Sequence, residues 1–135
     1  GMVEVMRGCG RGCKFCDVTL RSLRYYSPEK VQKEIEVNIK KTGLDRAWLH
    51  SDDIFVYGMD IRTAKNMEPN RDALEDLFKA VMATGIRHTN PTHGTLSGAI
   101  ADERLVPNIS KIINVATVRT PLCALGVANP VKYRQ

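Results

Sequence analysis

At 135 residues the chain is long enough for one domain with a real core and too short for two. Its apolar fraction of 43% and charged fraction of 26% exclude a low-complexity or disordered polymer. No apolar run approaches the roughly 20 residues of a membrane span, no secretory leader is visible, and a net charge of +5 is thin for a nucleic-acid binder.

Residues 3–6 form a short apolar run that predicts a first strand, and a glycine-rich loop follows it, Arg7-Gly8-Cys9-Gly10-Arg11-Gly12-Cys13-Lys14-Phe15-Cys16. Gly1 ahead of Met2 looks like a tag-cleavage scar and is given no functional role. Ser27-Pro28-Glu29 then reads as a helix start: a capping hydroxyl, proline at the first helical position and an acid at the positive end of the dipole. Val31, Ile35 and Ile39 recur along one face, Glu29–Lys33 and Glu36–Lys40 are spaced to pair outside, and Gly43 predicts the C-cap. Residues 47–50 read as a second strand that runs into Ser51, Asp52 and Asp53. Pro69 and Asn70 precede a second helix, whose Leu74, Leu77, Phe78 and Val81 share a stripe and which closes at Gly85. A third strand is expected over residues 86–89, leading into Pro91-Thr92-His93-Gly94. Beyond it the pattern weakens to a helical turn or two over 97–104, an interruption at Pro107, a fourth strand over 112–118 and a loop-like tail over 120–135.

The cysteine loop carries the chemistry. Cys9, Cys13 and Cys16 stand in a C-x3-C-x2-C pattern. Three such thiolates can hold three corners of an iron–sulfur cube and leave one iron open to a further ligand. Gly8, Gly10 and Gly12 allow the backbone angles a tight wrap requires. A structural zinc is the competing use of C-x2-C, but it normally takes four ligands, so the fourth would be Cys123, His50, His88 or His93. A disulfide framework fits less well, because the chain is not cysteine-dense. Arg7, Arg11, Lys14, Arg21 and Arg24 crowd this loop against only Glu4 and Asp17. They form either a plain solvated basic surface or one that steadies thiolates and draws anions. Grouped cysteines without a leader point to the reducing cytoplasm.

The cysteine spacing, with Phe15 directly before the last cysteine, resembles the cluster motif of the radical S-adenosylmethionine (radical SAM) superfamily. Residues 4–16 and the later Ser51-Asp52-Asp53-Ile54-Phe55-Val56-Tyr57-Gly58 look most like the branch often joined to a cobalamin-binding domain. The resemblance implies that Cys9, Cys13 and Cys16 bind a [4Fe-4S] cluster whose open iron chelates S-adenosylmethionine. It implies reductive cleavage of that cofactor to a 5′-deoxyadenosyl radical, an oxidoreductase or methyltransferase-like activity with an external electron donor and a substrate the residues do not identify. Phe15 matches the aromatic that packs near the adenine. Ser51, Asp52 and Asp53 stand where the family usually has a Gly-Gly-Glu-like segment for the amino group of the cofactor. The match there is by place and charge, since glycine is absent and the acid is aspartate; such aspartates are otherwise often caps or solvated turns. The family's later ribose- and adenine-contacting segments have no counterpart here, and cobalamin would belong to a domain outside this chain. The competing reading is a non-catalytic zinc-binding or interaction module.

Alternating strands and helices predict an α/β fold with a parallel sheet, and right-handed crossovers gather the loops after the strands on one edge. Residues 2–119 are thus expected to be the leading part of a (β/α) partial barrel, with 120–135 as a weakly patterned tail. Such a part would present Val3, Val5, Trp48, Leu49 and Ile86 to a missing wall, which predicts a homodimer through the open sheet edge.

Overall fold

The computed structural model describes residues 1–60 and 68–113. Its centre is a three-stranded parallel sheet of β1 (Met2–Glu4), β4 (Arg46–His50) and β5 (His88–Pro91), ordered β1-β4-β5. Register places Val3 beside Leu49 and Glu4 beside His50, then Ala47 beside Thr89 and Leu49 beside Pro91. A small antiparallel ribbon, β2 (Met6–Arg7) with β3 (Arg24–Tyr25), continues from the end of β1. The architecture is mixed α/β, as the alternating pattern predicts.

The two crossover helices form where local chemistry dictates. The first, α1 (Pro28–Thr42), is capped by Ser27, whose hydroxyl accepts from the Lys30 amide at 3.4 Å, and it ends at Gly43 with φ 69°. In α2 (Arg71–Ala83), Asn70 caps the first turn through the Ala73 amide at 3.2 Å. Val31 and Ile35 of α1, with Leu74, Leu77, Phe78 and Val81 of α2, are buried with Val3, Ala47 and Leu49. Both helices pack on each other and on this one face, which holds the core.

The strand boundaries shift from expectation. The first apolar run divides into β1 and β2, and the third strand lies two residues later than predicted, at His88–Pro91. Ile86 is buried but precedes the strand. The expected helical turns are α3 (Leu96–Ala101), capped by Thr95. Pro107 does not interrupt: it sits in the first turn of α4 (Leu105–Ile112), where its missing amide hydrogen costs no helical bond. The predicted fourth strand is overturned at its start, since Ile112 ends α4, while residues 114–118, the 120–135 tail and Cys123 lie outside the described residues.

The face of the sheet opposite the helices corrects the expected missing wall. Val3, Val5, Leu49 and Ile86 are all buried at 3% exposure or less, inside the helix-covered core. The other face carries Met2, Glu4, Trp48, His50, His88 and Asn90, a mostly polar row on which Trp48 is 45% exposed. Among the described residues no helix is long and apolar enough to cross a membrane.

Candidate metal and cofactor site at the sheet edge

The loops after β1, β4 and β5 meet at the carboxyl edge of the sheet, as parallel topology requires. The loops after β4 and β5 are joined first. Thr92 Oγ1 bridges both the amide and the carbonyl of Ser51 at 3.1 Å, and the Ser51 hydroxyl donates to the His93 carbonyl at 3.2 Å. That same carbonyl accepts the Ile54 amide at 3.0 Å. Residues Ile54–Val56 then make one 3-10 turn, capped by Asp53.

Asp53 is the tie point of the edge. It is 1% exposed, and its carboxylate accepts from the Phe55 amide (3.2 Å), the Thr95 amide (3.1 Å), the Thr95 hydroxyl (3.0 Å) and Arg11 Nε (2.6 Å). Four donors satisfy a buried carboxylate, and a guanidinium offsets its charge. The neighbouring Asp52 accepts the Gly8 amide at 2.7 Å and lies 3.8 Å from Arg21. Asp52 and Asp53 therefore anchor the cysteine loop to the second strand, one at each side of Cys9.

Gly8 closes that loop. With φ 83°, it sits so close to the backbone of Arg21 and Ser22 that a Cβ would lie 2.8 Å from both carbonyl oxygens. Only glycine lets the start and end of the loop touch. Between those ends Gly10 and Gly12 also take positive φ, and the Cys16 amide bonds back to the Cys13 carbonyl at 3.2 Å. All three cysteines are half-buried free thiols. Burial pushes the Cys9 thiol above its usual range, against an opposing hydrogen bond from the Arg11 amide. Phe15 is 92% exposed, with its ring free to meet a ligand.

The donor set and the described conformation give different answers on metal. Three soft thiols on one glycine-rich loop suit an iron–sulfur cluster by chemistry. In this conformation, however, no three His, Cys, Asp or Glu side chains among the described residues are arranged to hold a metal ion. The thiols would have to be drawn together. His93 Nδ1 lies 3.2 Å from the Ser51 carbonyl and 3.1 Å from Thr92 Oγ1, so this nitrogen is engaged within the loop junction. His50 and His88 stand on the open face of the sheet.

The structure brings the expected segments together but gives the acids unequal work. Ser51 and Asp53 are fully engaged by the chain, while Asp52 borders an open cleft. The Arg11–Asp53 pair and the capping Thr95 are absent from the sequence reading. A threonine directly before the helical segment was the available signal for the cap; the ion pair had none, being 42 residues apart. No family model, curated protein or solved structure matches the chain.

Proposed function

We propose that the chain is the leading part of a radical SAM core, with Cys9, Cys13 and Cys16 as the ligands of a [4Fe-4S] cluster. The observation that carries this reading is the C-x3-C-x2-C motif in a glycine loop that follows β2, the strand continuing from the carboxyl end of β1 in the parallel sheet. The shared face of α1 and α2 and the sequential strand order suit the start of a (β/α) barrel. When bound, a reduced cluster supplies the electron that cleaves the sulfonium of S-adenosylmethionine.

The chain's own residues would bind and orient. The glycines let the thiols converge, and metal binding displaces their protons, including the one that burial holds on Cys9. Asp53 and Gly8 fix where the loop leaves and rejoins the scaffold. Phe15 offers an aromatic face for the adenine. Of the two acids, Asp52 is the partner we assign to the ammonium of the cofactor, because it borders open space whereas Asp53 does not.

Anaerobic loading with iron and sulfide tests the reading. About four irons per chain are expected, with a spectrum that S-adenosylmethionine perturbs. Alanine at Cys9, Cys13 or Cys16 should abolish stable loading, and alanine at Cys123 should leave it intact. A colourless protein that takes up zinc in a Cys123-dependent way would overturn the assignment in favour of a structural zinc module.

A further inference from the structure

A second feature of the same edge uses no cysteine. A cleft of about 530 Å³ opens beside the ribbon, bordered by Glu4, Arg7, Arg21, Arg24, His50 and Asp52. Its volume falls within the range of small-molecule sites, roughly 300–1,000 Å³. Glu4 and His50 are register partners on the open face of the sheet, so the cleft begins where β1 and β4 end.

Its arginines are placed against electrostatic preference. Arg7 and Arg24 are direct partners across the β2–β3 ribbon, on the same face. Like charges in that relation destabilise a strand pair unless something lies between them to offset the charge. The acids nearby do this only in part. Glu4 takes the Nε and Nη2 of Arg7 at 2.8 and 3.2 Å and also the Tyr26 hydroxyl at 3.4 Å. Asp52 is held by the Gly8 amide and reaches Arg21 only at 3.8 Å. The Arg24 side chain has no hydrogen bond or ion pair among the described residues. Three guanidiniums thus face two carboxylates, each of which also serves another donor.

We propose that this cleft binds the phosphate group of a small phosphorylated ligand, seated between Arg24 and Arg21 with the free edge of Arg7 alongside. A phosphate presents several oxygens to several planar forks, which suits three arginines better than a single carboxylate would. The anion screens Arg7 from Arg24 and so supplies what the ribbon lacks. The site shares Asp52 with the cofactor reading but needs no thiol, so metal-free protein tests it separately from the cluster.

Calorimetric titration of the metal-free full chain with inorganic phosphate tests it, with succinate and a single-stranded oligonucleotide as comparison probes. Saturable phosphate binding that weakens with added salt is expected, and Arg24→Gln should lower the affinity about tenfold. Arg87→Gln removes an equal charge bound to Asp45 outside the cleft, and should leave the affinity unchanged. If Arg24→Gln fails to fold by circular dichroism, Arg21→Gln carries the same expectation. Absence of saturable binding, or equal losses in the cleft and Arg87 variants, would overturn the site. Succinate binding as tightly as phosphate would overturn the ligand class, and an oligonucleotide binding more tightly would overturn the small-ligand assignment.

Discussion

The segment after β4 and the cysteine loop after β2 leave the same edge of the molecule, yet they are built in opposite ways. In the first, Ile54, Phe55 and Val56 are wholly buried, and Phe55 lies so close to α3 that a Cβ at Gly98 would meet its side chain. In the second, Phe15 and Leu20 are 92% and 83% exposed, and from Cys9 to Leu20 no described residue enters the buried core. The first segment is held along its length by packing. The second is tied to the two aspartates at its start, by the Gly8 amide and Arg11. A loop fixed in this manner can close on a ligand without disturbing the core, because few packed contacts must break.

Asp53 is where the two regions share a support, and removing it should have the largest effect. Asp53→Ala leaves the Arg11 guanidinium and the Thr95 and Phe55 donors without their acceptor. A loss of about 3–5 kcal/mol in urea unfolding is expected, a large share of the roughly 5–15 available to a domain. A loss under about 1 kcal/mol would show that the pair contributes little and that the loop is held some other way.

Packing of the buried segment gives the next effect. An added Cβ at Gly98 would lie 2.4 Å from Phe55 Cβ, so α3 or the 3-10 turn must move. Gly98→Ala should cost about 3 kcal/mol by the same measurement. The nearest clashing atom is Phe55 Cβ, which every residue but glycine carries, so Phe55→Leu in the same chain should not recover the loss if this clash is its cause.

Alkaline pH probes the same segment through Tyr57. Its hydroxyl donates to the Tyr26 carbonyl at 2.6 Å. Burial first, then the charges of Glu29 and Tyr25, raise its pKa from 10.0 to about 12. The folded value lies above the unfolded one, so the stabilisation is fully present below about pH 10 and is lost as pH rises towards 12. Unfolding free energy should fall by about 2 kcal/mol across that window. Tyr57→Phe should flatten the slope; an unchanged slope would assign it to another group.

The smallest effect is expected in the cysteine loop. Phe15 is almost fully exposed, so Phe15→Ala should change stability by less than about 0.5 kcal/mol. The same variant should weaken S-adenosylmethionine binding to the loaded protein, read by equilibrium dialysis. A marked loss of stability would mean that the loop is packed after all, and the contrast between the two regions would fail.

Local signals located both crossover helices well, since Ser27, Pro28 and Gly43, and likewise Asn70, act within one turn of the positions they cap. Strands were less legible. Residues 86–89 read as a strand directly after the helix stop at Gly85, but pairing with β4 begins only at His88, because register is set by the neighbouring strand. Pro107 reads as a break in one dimension and is a helix start in three, since α4 packs against α2. In the candidate site, the thiol pattern and the three gathering loops were visible. The division of labour between Asp52 and Asp53 was not, because adjacent identical residues differ only in what surrounds them.

The sequence by itself determined α1 and α2, their apolar faces and the donor set of the cysteine loop, because capping, periodicity and ligand spacing are short-range properties. Tertiary structure decided which face of the sheet is core. Val3 and Leu49 go to the helices, and Trp48 and His50 to the open side, because side chains alternate along a strand and only the crossovers choose between faces. It also decided the cleft: Arg7 and Arg24 are 17 residues apart in the chain and become opposite partners only when the ribbon closes.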